Sequence, residues 1–177
     1  TLDLKGGKIP VNFSYQFGAP QILWMKQQNP SFGKIHKAES FAHFLGLRPE
    51  DVDNRYPVQE VSTGVTFFII PLMTGAALRR AKIDKPRFFS YVEKTEAKAT
   101  FLFCSEPRDP SSHLEARMFG AYYGVDEDPA TGSAGGCLAG YLARYRYFGG
   151  PKLDVRVEQG YEVGRPSLIY LRSMDKG

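Results

Sequence analysis

Residues able to do chemistry gather in one stretch, Asp126–Tyr145, which reads DEDPATGSAGGCLAGYLARY. Three acids precede Pro129, a run of small and hydroxyl-bearing residues follows, and Ala134–Ala143 then carries no charge. This is the pattern of a loop entering a helix, with Thr131 or Ser133 placed to cap the first free backbone N–H groups through a side-chain oxygen. The amides of Thr131, Gly132, Ser133 and Ala134, with the helix dipole behind them, favour an anion such as a carboxylate. Asp128 stands a few residues away. A carboxylate bound at the helix end would bring its neighbouring carbon to that side chain, where taking or giving a proton is general acid–base chemistry. A capping or turn-forming Asp128 is the alternative, and spacing alone leaves both open.

Other reaction classes lack their residues. Ser133 sits in TGSAG, without the first glycine of a nucleophile elbow, so acyl transfer through it is poorly supported. The sequence has no P-loop, no dinucleotide-binding fingerprint, no HExxH and no paired cysteine motif, so neither a metal nor a cofactor is expected. His36 and His43 are not at metal-binding spacing, and Cys104 and Cys137 read as core residues. Ser62-Thr63-Gly64 is either a bare turn or a place where backbone approaches a ligand.

The elements that must position this stretch follow from periodicity. The helix after Ser133 is apolar or small on every face and belongs inside the protein. Gly135, Gly136 and Gly140 together cost it about 3 kcal/mol against alanine, so something must press close enough to need them. Gly6-Gly7 sets off a short opening segment, and Ile9–Phe13 and Gln21–Met25 read as paired strands. Lys26–Gly33 is a polar turn region, Lys37–Leu45 a helix ended by Gly46, and Pro49–Val52 a short helical turn. Val65–Leu72 is a buried strand. Ala76–Ala81 and Arg87–Lys98 have helical composition, Thr100–Cys104 is a strand, and Leu114–Phe119 alternates like a half-buried one. After the turn at Phe148-Gly149-Gly150-Pro151, Leu153–Val157 and Ser167–Leu171 are closing strands about a turn at Gly160. The pattern predicts one α+β domain over residues 1–177, a curved, barrel-like, mostly antiparallel sheet around the buried central helix.

Composition agrees. With 177 residues, 42% hydrophobic and 14% aromatic, the chain can bury one substantial core. The net charge of +4 is spread along the chain rather than gathered into an aromatic-flanked basic patch, so nucleic acid is not expected as a partner. No apolar run reaches membrane-spanning length and no signal peptide opens the sequence, so no membrane partner is expected and a cytoplasmic setting is.

Met118-Phe119, then Gly124–Ala134 with its EDPATGSA core, then the small-residue helix through Leu138, Ala139, Tyr141 and Leu142, resemble the phenazine-biosynthesis PhzF-like isomerase family. Collinear support runs through Leu2–Val11, Phe44–Leu47, Ser62-Thr63-Gly64, Leu78–Asp84 and Gly164–Ser167, so the resemblance covers essentially the whole chain. It implies a fold similar to that of diaminopimelate epimerase, with two related lobes and the active site in the cleft between them. It also implies cofactor-independent proton transfer on a small carboxylate, as in the family's isomerisation of a dihydro-hydroxyanthranilate. Asp128 and Ser133 would be the catalytic residues, the Gly132 and Ser133 amides would hold the substrate carboxylate beside Thr131 and Ala134, and Thr63 and Gly64 would be secondary contacts.

On this resemblance the chain corresponds to the second lobe. The first lobe, with the family's principal catalytic Glu and a Gly-His-Pro motif, is not matched by any part of it, and none of His36, His43, His113 or Glu127 stands in that context. The expectation is a fragment or one piece of a cleaved enzyme, residue 1 being Thr rather than Met, with the missing lobe or another copy, possible in a homodimer, covering the cleft face. Alone, such a chain would be expected to be inactive. The alternatives are a small-carboxylate binding module without turnover and a purely structural domain.

Overall fold

The computed structural model describes residues 2–4, 7–16, 19–150 and 152–174; Gly6 and Pro151, read above as turn residues, lie outside them. Two hairpins open the chain. β1 (Leu2–Leu4) pairs antiparallel with β2 (Gly7–Ile9), and β3 (Val11–Gln16) with β4 (Ala19–Met25), Val11 standing opposite Met25. Each hairpin is a two-stranded sheet of its own.

Residues 26–30 then run without regular structure into β5 (Ser31–His36). α1 (Ala38–Phe44) ends where Gly46 takes φ +64°, and a single helical turn at Pro49–Asp51 leads to the hairpin of β6 (Val58–Ser62) and β7 (Thr66–Pro71). α2 (Gly75–Arg80), α3 (Lys85–Val92), β8 (Thr100–Cys104), β9 (Leu114–Gly120), β10 (Val125–Asp128), α4 (Gly132–Arg144), β11 (Lys152–Gln159) and β12 (Ser167–Met174) complete the order.

Eight strands form one curled sheet in the order β12-β11-β9-β8-β7-β6-β5, with β10 also on β9. Among the described residues only β7–β8 and β9–β11 are parallel pairs. Alternate residues of the strands point to opposite faces. On the concave face Phe67, Ile69, Phe101, Phe103, Ala116 and Val157 pack around Cys137, Leu138, Tyr141 and Leu142 of α4. On the other face Phe68, Ile70 and Leu102 meet Phe41, Leu78 and Phe88 of α1, α2 and α3. The central strands are therefore covered on both sides, and the expected α+β fold, a curved sheet around a buried helix, is the fold observed.

The glycines of α4 have the close neighbours that their cost demanded. A Cβ on Gly135 would stand 3.1 Å from Leu171 of β12, as a wrapping sheet predicts. One on Gly136 would stand 2.6 Å from Gln27, and one on Gly140 2.5 Å from Pro30, so the remaining two answer to the irregular segment 26–30.

Three expectations need correction. Residues 31–33 belong to β5 rather than to a turn: Gly33 lies where the register with β6 shifts between Phe32 and Ile35, its backbone against Glu60. Leu114–Phe119 is buried throughout rather than by halves, because its polar alternates Glu115 and Arg117 are consumed in ion pairs under α2. The acids of residues 126–128 lie on a short strand, not in a loop.

Candidate active site

The site is made where two strands share one edge of a third. β8 occupies one edge of β9, and along the other edge β11 pairs with Leu114, Glu115 and Ala116 while β10 pairs with Met118 and Gly120. β11 runs parallel to β9 and β10 antiparallel to it, so their C-terminal ends meet: Gln159 lies beside Ala116 and Asp128 beside Met118. From this meeting point the chain after β10 turns through Pro129 and Ala130 into α4, and the chain after β11 turns away at Gly160.

Gly160 is needed there. Its φ is +88°, and a Cβ would stand 2.7 Å from the Pro129 oxygen, 3.0 Å from Pro129 Cα and closer still to the Arg165 oxygen. The segment Asp128–Thr131 thus lies directly against the β11 turn. Gln159, fully buried, ties it down: Nε2 donates to the Asp128 carbonyl at 2.6 Å and to Thr131 Oγ1 at 3.0 Å, and Oε1 accepts from the Thr131 N–H at 3.2 Å. Gln159 was not singled out in the sequence; its only local signal is a polar residue ending an alternating strand directly before a turn glycine.

Thr131 is the residue preceding α4, but its side chain makes no cap to the helix. Its hydroxyl instead donates to Asp128 Oδ2 at 2.6 Å, a short, charge-assisted bond, which corrects the expected capping role. The first helical bond runs from the Gly135 N–H to the Thr131 carbonyl at 2.9 Å. The N–H groups of Gly132, Ser133 and Ala134 therefore have no acceptor among the described residues, and they sit at the positive end of a thirteen-residue helix.

Thr63 reaches the same helix end from the turn after β6. Its buried hydroxyl lies 3.3 Å from the Ser133 carbonyl, 3.4 Å from Gln27 Oε1 and 3.6 Å from Cys137 Sγ. Gly64 is exposed with φ +122°, and its N–H is already spent on Ser62 Oγ at 3.2 Å. Ser133 is half-buried at the second position of α4, and among the described residues no His, Asp or Glu bonds its hydroxyl. Burial raises the Cys137 thiol and pushes Cys104 up to about 11, so both remain protonated core groups.

Glu127 belongs to the opposite face. Arg117 binds it through two bonds of 2.9 and 2.7 Å and spends its third nitrogen on the carbonyls of Leu78, Arg79 and Ala81 at the end of α2. It is a structural acid. His36, also outside the site, is held between Glu60 and Tyr91 at 2.8 Å each, and His43 is exposed. A separate cleft of about 520 Å³ runs along the glycine face of α4 between residues 23–30 and β12; Gly132 borders it, while Asp128, Thr131 and Ser133 do not. Among the described residues no helix is long and apolar enough to cross a membrane, and no group of three His, Cys, Asp or Glu side chains is placed to hold a metal.

A curled sheet around a helix whose open N-terminus lies beside a hydroxyl-bonded carboxylate defines an epimerase-like half-barrel. The phenazine biosynthesis-like protein family, PhzC-PhzF, matches residues 1–176, and the chain belongs to that family. It is 30% identical to the trans-2,3-dihydro-3-hydroxyanthranilate isomerase of Pseudomonas aeruginosa over 99% of its own length and 59% of that protein's. It is 28% identical to an uncharacterised isomerase of Bacillus subtilis, covering all of this chain and 60% of the relative. A crystal structure of a PhzF-family phenazine biosynthesis protein from Bacillus anthracis superposes with a TM-score of 0.83 at 29% identity, over 97% of this chain and 59% of that one. The chain spans about three-fifths of the length of the curated relatives it matches.

Proposed function

We propose that the chain supplies one half of the active site of a cofactor-independent isomerase that moves a proton on a small carboxylate-bearing metabolite. The observation that carries this reading is the placement of Asp128: among the described residues its carboxylate is bonded only to a neutral hydroxyl, three residues before a helix end with unclaimed amides. The amides of Gly132 and Ser133, with that of the neighbouring Ala134, bind the substrate carboxylate, the Thr131 N–H being taken by Gln159, and Asp128 takes and returns the proton on the adjacent carbon. The Ser133 hydroxyl lies at the same end of the helix, and Thr63 holds that end in place through the Ser133 carbonyl. The relatives named trans-2,3-dihydro-3-hydroxyanthranilate isomerases take, by that name, an anthranilate-type carboxylate, which agrees with an anion site of this kind. Opposite Asp128 the second acid–base group comes from protein beyond these residues or from another copy, since Glu127 is committed to Arg117.

The test is hydrogen exchange from heavy water into trans-2,3-dihydro-3-hydroxyanthranilate by the full-length protein carrying this chain. Asp128→Asn is expected to lower the exchange rate by about 100-fold or more. Unchanged exchange removes Asp128 from the mechanism. The lack of a second acid or histidine at Asp128 among the described residues favours a rival reading, a carboxylate-binding module; that reading requires binding with no exchange even in the unsubstituted protein.

A further inference from the structure

Resting on the reading of Asp128 as the acid–base group, we infer that Gln159 is a positioning residue for the reaction: it fixes Thr131 as a hydrogen-bond donor to Asp128 Oδ2 and so reserves Oδ1 as the oxygen that exchanges protons. The directions of the bonds follow from the groups themselves. The Thr131 backbone N–H can only donate and the Asp128 backbone carbonyl can only accept, so the Gln159 amide must turn Oε1 to the first and Nε2 to the second. A flipped amide would set oxygen against oxygen and N–H against N–H. The remaining Nε2 hydrogen then falls to Thr131 Oγ1 at 3.0 Å, which fills one of its lone pairs. The hydroxyl has a single proton of its own, and Asp128 Oδ2 at 2.6 Å takes it.

This order has a consequence at the carboxylate. A proton arriving on Oδ2 would share that oxygen with the Thr131 bond and weaken it as an acceptor, and the Thr131 hydroxyl has no other acceptor among the described residues around a buried side chain. Leaving such a donor unmet is costly. Oδ1 has no hydrogen-bond partner among the described residues, so protonation and deprotonation are channelled to it. Gln159 can do this because it ends β11 at the point where β10 ends with Asp128, and the Gly160 turn lets the Pro129 backbone lie against it. The relay is neutral throughout except for the carboxylate itself, so it orients Asp128 without neutralising it.

Three substitutions in the full-length protein test the relay. Gln159→Glu keeps the shape and the acceptor for the Thr131 N–H but removes both donors; Thr131→Val keeps the shape and removes the hydroxyl; Thr131→Ser restores it. Proton NMR of the unsubstituted protein is expected to show a slowly exchanging Thr131 hydroxyl signal coupled to Asp128, lost in Gln159→Glu and in Thr131→Val. With the substrate above, kcat is expected to fall roughly 10- to 100-fold in both variants while KM moves less than threefold, because the helix amides that hold the carboxylate are untouched. Thr131→Ser is expected to recover most of the turnover lost in Thr131→Val. The inference is overturned if the hydroxyl signal is absent from the unsubstituted protein. It is also overturned if Gln159→Glu keeps full kcat, or if kcat, KM and melting temperature all decline together as for a merely structural residue. Asp128→Asn measured alongside separates the two levels: full exchange there removes Asp128 as the acid–base group and with it the reading on which the relay rests, whereas an inactive Asp128→Asn beside a fully active Gln159→Glu sinks the relay alone.

Discussion

Glu127 and Asp128 are neighbours on one short strand, alike in chemistry and opposite in circumstance. Glu127 points into the layer beneath α2, where Arg117 meets it with two nitrogens and both side chains are more than nine-tenths buried. Arg117 also lies over the Phe119 ring at 4.7 Å and within 3.7 Å of Glu162. Asp128 points to the other side, where its partner is the Thr131 hydroxyl and the nearest fixed dipole is that of α4. A carboxylate whose charge is answered by a fixed guanidinium holds structure together; one answered by a neutral donor keeps its charge for a substrate. Strand alternation is what sends two consecutive acids to such different fates.

The comparison breaks most readily at its ionic side. Arg117→Ala leaves Glu127 buried without its partner and uncaps three carbonyls of α2, and it is expected to destabilise the fold by about 3–5 kcal/mol in urea unfolding. Asp128→Asn, which keeps an oxygen to accept the Thr131 hydroxyl, is expected to cost less than about 1 kcal/mol in the same measurement. Equal losses would mean that both acids are structural and would remove the distinction. Gly160→Ala strikes the neutral side through the backbone. At φ +88°, with the Pro129 oxygen 2.7 Å from the new Cβ, it is expected to cost about 1–3 kcal/mol and to displace Asp128 from Gln159. A fully stable Gly160→Ala would show that the β11 turn does not hold the site loop.

Much of this was legible in the sequence because it is local. The Val65–Leu72 run, the alternation of Leu153–Val157 and the uncharged helix after Ser133 each fix their element within a few residues, and the three glycines of α4 announced close neighbours. β5 was hidden because Asn29-Pro30 and Gly33 carry turn chemistry, while the strand is an edge strand with an irregular register. β10 was hidden because three acids in a row do not look like a strand; Lys85 and Arg117, distant in sequence, neutralise two of them. Asp128, Thr131 and the open helix end could be placed from one motif. Gln159 could not, since its role exists only where two strand ends, 31 residues apart, meet on the same edge of β9.

The ionic side also has a pH dependence. α2 is tied down by Arg79 to Glu115 at 3.0 Å, by Arg117 to its last carbonyls, and by Arg80 to Asp51 at 2.5 Å. Burial opposes the charge on Asp51, but the Arg80 hydrogen bond, the Arg48 backbone N–H at 2.9 Å and the Arg80 charge outweigh it and hold its carboxyl below the ordinary range. A group with a lowered folded pKa stabilises the native state fully above its unfolded value, near pH 4, and loses that contribution as pH falls through the lowered value. Asp51→Asn is therefore expected to cost about 1 kcal/mol at pH 7, Arg80 being nearly half exposed, and to flatten the decline in stability below about pH 4. Urea unfolding at stepped pH reads both effects. If the acid decline is unchanged in Asp51→Asn, the α2 anchor is not among the charges that acid releases, and the ionic side of the comparison rests on Arg117 alone.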